Sequence, residues 1–292
     1  MSRNVIVEGF LLFVVFIWAL NFSVVKYSLD EIDPVTFNAF RFSLAIIFIW
    51  VVVFIRRIKI RVDPKDWLKL IGLALLGNLI YQMLFIFGID RTFSANAAVM
   101  LGTIPVWTAL FSHLFFEEKL TRIRGIGVFF AFAGVALIMG GGEEGFNPGA
   151  QSVTGDLIIV LAAMVFATFT LLSKSFLTKY TPIELSTVVM TVGGAGLIIA
   201  AIPGLIRLEY QEISLPAYGG ALYSGVFAIG VAYLAWNYGI RQVGAVRTST
   251  FQNLVPVLGV ILGYLLLGET LTIMQYFGAA SVILGIVLAR WR

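Results

Sequence analysis

Gly88-Ile89-x15-Pro105-x12-Glu118-x-Leu120-Thr121-x5-Gly127-x6-Gly134 returns 151 residues later as Gly239, Ile240, Pro256, Glu269, Leu271, Thr272, Gly278 and Gly285. Seven spacings are kept without a gap, more than chance supplies even where Gly and Leu are common. Upstream, a shift of 148 brings Lys26 onto Lys174 and Pro34 onto Pro182, so one half carries a loop three residues longer. An internal repeat constrains the architecture before any local propensity does. The chain therefore reads as two homologous halves, 1–141 and 155–292, joined by a Gly-rich, acidic loop over 142–154.

The chain has 292 residues, 60% hydrophobic and only 12% charged. Its mean hydropathy is +0.97. Soluble domains carry about 25% charged residues, so this composition calls for a lipid bilayer as solvent. The absence of cysteine excludes disulfides, thiolate metal sites and cysteine nucleophiles. The single histidine, His113, builds no metal cluster and is expected to be packed in its helix. No metal or cofactor is expected. The first apolar run contains Trp18 and Asn21 and lacks a small-x-small cleavage site, so it reads as a retained membrane helix rather than a signal peptide.

A spanning helix needs about 20 mainly apolar residues. Ten segments qualify, near 9–27, 34–55, 67–88, 93–115, 123–141, 155–174, 182–203, 217–240, 245–267 and 272–290. Five fall in each half. Of the 20 Lys and Arg residues, 16 fall on the side that holds both termini, three (Lys26, Arg91, Arg207) on the other, and Arg41 lies within the second segment. Positive charge marks the cytoplasmic side, so both termini are expected inside. The same asymmetry explains the net charge of +4 without a nucleic-acid partner. Five helices per half is an odd number, so the second half enters the membrane from the opposite side. The expected fold is all-α and integral to the membrane, with ten transmembrane helices in two inverted five-helix repeats. Such inverted repeats are the usual basis of alternating access, with the solute held near the midplane between them.

The repeated P…E-x-L-T…G…G cassette resembles the drug/metabolite transporter superfamily, and within it the EamA-type transporters. Trp18-Ala19-Leu20-Asn21-Phe22 is similar to the W-x-x-N-F opening of that family, and Arg41 in Phe40-Arg41-Phe42 to its arginine on the second helix. The resemblance spans both halves. It implies a ten-helix inner-membrane carrier, often an exporter of amino acids or other metabolites. It also implies a central cavity lined by helices one to four and six to nine, with the fifth and tenth at the periphery.

Polar side chains at membrane depth are costly unless they face protein or water. Residues at i, i+3, i+4 and i+7 share a helix face. Asn78, Tyr81, Gln82 and Phe85 do so on the third segment, and Tyr233, Trp236 and Asn237 on the eighth. Ser249, Gln252, Asn253 and Pro256 do so on the ninth. Asn96, Thr103 and Trp107 lie near one stripe of the fourth, and Trp18 and Asn21 sit on the first. At the 151-residue shift Gln82 falls on Tyr233 and Phe85 on Trp236. These faces are expected to line one cavity with aromatic walls and amide or hydroxyl contacts, suited to a small amphipathic solute. The alternative is that the same amides and hydroxyls join helices to one another.

Pro105 and Pro256 are expected mid-helix, as paired kinks that serve as hinges or aid packing. Arg41 is read either as a carboxylate receptor or as the partner of Asp30, Glu31 or Asp33. Lys26 and Lys174 end the first and sixth segments on opposite sides, as snorkelling or gating groups. Glu118 and Glu269 read as loop and capping residues. No Asp or Glu lies in the middle of an expected span, with Glu184 near an end, so proton coupling through a buried carboxylate has no evident group. Facilitated diffusion, exchange, or coupling through water and the solute's own charge gains weight accordingly.

With no Cys, one His and no carboxylate pair at membrane depth, an enzyme is not expected. The expected function is secondary transport of a small metabolite, an aromatic or hydrophobic amino acid on the strength of Tyr81, Tyr233 and Trp236, outward across the inner membrane. A multidrug or lipid exporter of the same fold and a passive channel are the alternatives. A monomer is expected, although small residues on the fifth and tenth segments permit close packing.

Overall fold

The computed structural model describes residues 3–115, 122–141, 151–244, 248 and 250–288, and every regular element among them is helical. In chain order these are α1 (Arg3–Leu29), α2 (Pro34–Ile55), α3 (Pro64–Arg91), α4 (Ser94–Phe115) and α5 (Arg122–Gly140). They continue with α6 (Gln151–Phe176), α7 (Pro182–Arg207), α8 (Leu215–Val243), α9 (Leu254–Leu267) and α10 (Ile273–Leu288). Seven helices are long and apolar enough to cross a membrane, namely α1 to α4 and α6 to α8. Three shorter apolar helices, Gly125–Ile138, Leu254–Leu267 and Ile273–Leu288, fall where the fifth, ninth and tenth segments were expected. Phe54, Leu68, Ile206 and Phe277 are among the large apolar side chains left on the outer surface, the composition of a lipid-facing belt.

Helix starts follow local chemistry. The Asp33 carboxylate accepts from the backbone N–H of Val35 and Thr36, and Pro34 opens α2, where a missing N–H costs nothing. Thr181 and Glu184 form a reciprocal capping box at the start of α7. Thr272 and Gln275 do the same for α10. α6 begins at Gln151, four residues inside the stretch expected to be linker.

α3 and α8 are not uniform. Each contains a π-helical stretch, Leu75–Ile80 and Ser224–Val231, at matching places in the repeat. Such insertions gather at functional sites because they re-aim the side chains that follow. α4 is interrupted at Gly102 and Thr103 and resumes at Ile104. α9 is preceded at the matching place by a 3-10 turn, Thr250–Asn253. The two prolines are therefore not mid-helix kinks. Pro105 is the second and Pro256 the third residue of its helix, in a first turn that has no intrahelical partner for the N–H.

Three helices pack against their counterparts in the other half, α5 on α10, α4 on α9 and α2 on α7. A Cβ added to Gly134 would stand 2.5 Å from the Gly278 carbonyl oxygen, and one added to Gly285 would stand 2.6 Å from that of Gly127. Numbers rise on α5 as they fall on α10, so the two run antiparallel with their backbones in contact. The small-residue faces are consumed by this pairing. Gly102 lies on Pro256 and Gly259 on Ala98, so α4 and α9 also cross antiparallel. Several contacts join positions one repeat apart. The Gln82 amide donates to the Tyr233 hydroxyl, Ser281 Oγ donates to the Phe130 carbonyl at 2.9 Å, and Trp18 meets Phe166 edge-on.

Candidate solute-binding site

At the centre of the bundle lies a pocket of about 40 Å³ lined by Trp18, Asn21 and Phe22 of α1, Arg41 of α2 and Tyr81, Gln82 and Phe85 of α3. Across from them stand Leu101, Gly102 and Ile104 of α4, Phe166 of α6, Ala228, Ile229 and Tyr233 of α8, and Gln252 and Val255 around the start of α9. The π-helical stretch of α8 and both the α4 and α9 discontinuities open onto it, and Tyr81 and Gln82, which line it, directly follow the π-helical stretch of α3. Its walls are aromatic, with Tyr81 and Phe166 rings 4.8 Å apart and Trp18 against Tyr233 at 6.3 Å. Such edge and tilted contacts suit the ring quadrupoles.

The polar part of the pocket is one connected chain. Ser224 Oγ donates to Asn21 Oδ1 at 2.6 Å and accepts from Arg41 Nε at 2.6 Å. Arg41 Nη1 donates to Asn38 Oδ1 at 2.8 Å, and Asn38 Nδ2 donates to the Gln82 carbonyl at 2.9 Å. Gln82 Nε2 then donates to the Tyr233 hydroxyl at 3.0 Å. Arg41 is only 2% exposed and holds its guanidinium 5.5 Å from the Phe85 ring and 5.7 Å from that of Phe37. The expected pairing with the outer carboxylates does not occur. Asp33 caps α2, and Glu31 binds the Ser214 backbone N–H and hydroxyl at the start of α8, each at 2.7 Å. A buried cation held only by neutral groups is a costly arrangement, on the order of several kcal/mol unless an anion joins it. The Gln82 and Gln252 side-chain oxygens have no partner, so the pocket also presents acceptors.

Seven of the residues singled out by helical spacing come together here: Trp18, Asn21, Tyr81, Gln82, Phe85, Tyr233 and Gln252. Others on the same faces do not reach the pocket. Asn78 is buried against Gly193 of α7 with neither amide atom partnered, whereas Asn237 Nδ2 donates to Ser186 Oγ of α7 and joins two helices. Trp236 packs at a tilt against Trp18, with ring centres 5.1 Å apart. Thr103 donates to the Met100 carbonyl and accepts from Trp107, bridging the break in α4. Asn96 donates to Asp156 at 3.5 Å. The Asn253 side chain, Ser249, Glu118, Leu120 and Thr121 lie outside the described residues. Lys26 turns inward and donates to the carbonyls of Ile89 and Asp90 at 3.0 and 2.8 Å, capping α3, rather than reaching outward. Lys174 is exposed, and so is His113, which was expected to be packed.

Three features escaped the sequence reading. Phe166 has no polarity to mark it, but it stands 148 residues after Trp18 and the repeat locates it. Ser224 joins Arg41 to Asn21 from within a π-helical stretch, where ordinary helical spacing misdirects the eye. Asp156 is a buried carboxylate on α6, 2% exposed, accepting from Thr92 Oγ1 at 2.6 Å. It borders a second, larger cavity of about 650 Å³ at the end of the bundle that holds Lys26, Asp90 and Glu269. Glu269 accepts from the N–H groups of Ser94 and Ala95 and from the Ser94 hydroxyl, so it caps α4 from across the molecule.

Comparison with known proteins identifies the lineage of this arrangement. The profile of the EamA-like transporter family matches residues 6–140 and again 153–291. The uncharacterized transporter YyaM of Bacillus subtilis is 30% identical over 270 residues, covering 92% of this chain and 88% of its own. An uncharacterized transporter of Archaeoglobus fulgidus is 29% identical over 271 residues, covering 93% of this chain and 94% of its own. A crystal structure at 17% identity superposes with a TM-score of 0.70 over 96% of this chain and 94% of that one, which shows a shared fold.

Proposed function

Because the chain belongs to the EamA-like transporter family, we propose that it exports a small zwitterionic solute, an aromatic or hydrophobic amino acid, across the inner membrane by alternating access. In this reading ten helices cross the bilayer as two inverted five-helix halves with both termini cytoplasmic. The antiparallel pairing of α5 with α10 and of α4 with α9 supports the inversion, and the 16-to-3 distribution of basic residues supports the orientation.

The observation that carries the solute class is Arg41, a buried cation without a carboxylate partner at the edge of the central pocket. A solute carboxylate completes it. The unpartnered oxygens of Gln82 and Gln252 accept from the solute ammonium, and Trp18, Tyr81, Phe166 and Tyr233 surround its apolar side chain. A pocket of about 40 Å³ has room for a few waters and no more. Solute sites span about 300–1,000 Å³, so occupancy requires the halves to part. That requirement favours a carrier over a continuously open channel.

Counterflow in proteoliposomes preloaded with single amino acids tests the reading. Tracer phenylalanine is expected to exchange saturably in the wild type. Arg41→Gln is expected to reduce exchange by about a hundredfold, the loss of a charge-assisted pair of roughly 3 kcal/mol. Arg41→Lys is expected to retain part of it, because charge persists while the planar fork is lost. Exchange of amino acids undiminished in Arg41→Gln contradicts the assignment.

A further inference from the structure

The second cavity lies at the end of the bundle opposite the termini and holds the one carboxylate that is buried among the described residues. Gly155 lets α6 approach the end of α3 closely, since a Cβ there would stand 2.8 Å from the Arg91 carbonyl carbon and 2.9 Å from the Gly88 oxygen. That approach carries Asp156 beneath the α3–α4 corner, where Thr92 and Asn96 donate to its two oxygens. Among the described residues, the charged groups that face this cavity beside Asp156 are Lys26, Asp90, Arg91 and Glu269. Lys26 is committed to backbone carbonyls. Arg91 donates to the Phe87 carbonyl and pairs with Asp90 at 3.8 Å. Glu269 is spent on Ser94 and Ala95. Among the described residues, Asp156 thus has neutral donors and no ion pair, beside a cavity large enough for many waters.

We propose that Asp156 is the group through which this transporter couples solute export to proton entry. The proposal rests on the alternating-access reading above. In the state open toward the Lys26 end, the carboxylate takes a proton from a hydronium ion in the cavity, forming the neutral acid and releasing water. After the halves reorient, the acid returns the proton to water on the cytoplasmic side and becomes a carboxylate again. A buried carboxylate without a counter-ion is costly, and protonation removes the charge. Protonation also converts one acceptor oxygen into a donor, which weakens the tie from α6 to Thr92 and Asn96 and so loosens contact between elements of the two halves. A proton fits this site better than sodium. The neighbours present O–H and N–H donors to the carboxylate, whereas metal cations want a shell of oxygen acceptors. No group of three or more metal-ligating acids and histidines occurs among the described residues.

Two measurements on the full chain in liposomes decide it. The first is an infrared pH titration of the wild type against Asp156→Asn. A carboxylic-acid C=O band that titrates in the wild type and is missing from the variant is expected, and identical spectra overturn the proposal. The second is phenylalanine accumulation in vesicles with an acidic lumen and the membrane potential clamped. One-for-one exchange permits up to about tenfold accumulation per unit of pH gradient. The wild type is expected to accumulate tracer, whereas Asp156→Asn equilibrates it onefold while keeping counterflow. Uphill accumulation surviving in the variant, or driven by sodium instead, overturns the proposal. Should Asp156→Asn not fold, Asp156→Glu and Thr92→Val are expected to retain accumulation with a displaced pH profile, and an unmoved profile counts against it. Failure of phenylalanine counterflow in the wild type defeats the solute assignment and leaves the infrared result to decide the proton site.

Discussion

Among the described residues, Arg41 and Asp156 are the two buried charges that no ion pair explains, and they differ in how readily a reader of the sequence finds them. Arg41 is conspicuous because a guanidinium in the middle of an apolar run has no innocent reading. Asp156 was hidden by a boundary. With α6 taken to begin at 155 it stands at the membrane edge, but the helix starts at Gln151, about 6 Å earlier at 1.5 Å per residue. Helical spacing correctly gathered Tyr81 with Gln82, and Trp18 with Asn21. It also gathered Asn78 and Asn237, because periodicity names a face without naming the neighbour it meets. One charged cluster lies outside the core altogether. Lys179 sits between Asp63 at 2.9 Å and Asp66 at 2.7 Å, tying the start of α3 and the residue before it to the α6–α7 loop. The hydrogen bond from Lys179 holds the Asp63 carboxyl below its ordinary value of 3.8, and Asp66 raises Lys179 above 10.5. A depressed carboxylate stabilises above its unfolded value and loses that contribution as pH falls through the folded one. The tie is therefore complete from about pH 4 to 10 and lost in acid. Melting temperatures are expected to drop below pH ~4, and part of that drop should be missing from Lys179→Met. An identical acid limb in both proteins rejects this assignment.

Among the elements, α4 shows what repeat reasoning reads well and what it misreads. The 151-residue shift puts Pro105 and Pro256 at equivalent places, and the two do occupy equivalent places, at Gly102 and its counterpart turn before α9. The misreading was of their surroundings. A proline in an apolar run looks like a kink, but Gly102 and Thr103 have already ended the helix, and proline then starts a new one without loss. The π-helical stretches of α3 and α8 were not legible at all, since no residue pattern distinguishes them from the α-helix around them. The first half of α4 is held at its start by Glu269 rather than by its own sequence. Removing that carboxylate in Glu269→Ala leaves the N–H groups of Ser94 and Ala95 without a partner, at a cost of about 1 kcal/mol. Amide hydrogen exchange over residues 94–98 is expected to quicken roughly fivefold to tenfold as a result, with residues 104–115 little changed. A uniform change along α4, or none, removes Glu269 from this role.

For the whole molecule, the basic-residue asymmetry and the repeat were the most legible features, because both are sums over many residues that no single misreading disturbs. Together they predict one topology. Tags at either terminus are expected to be reached only from the cytoplasmic side, and a tag between residues 142 and 150 only from outside. A tag in that loop reached from the cytoplasm contradicts an odd number of crossings in the first half. The pairing of positions one repeat apart carries a further consequence. In a dimer of identical half-length chains, a residue on the symmetry axis must meet its own copy, so a glutamine there faces a glutamine and a tryptophan faces a tryptophan. Here Gln82 faces Tyr233, and Trp18 faces Phe166. Joining the halves in one polypeptide lets the two sides of the axis be chosen independently, an amide against a phenol and an indole against a phenyl ring. A cavity built on such an axis can fit a cargo with two unlike ends, which strict twofold symmetry would force it to receive in two orientations alike.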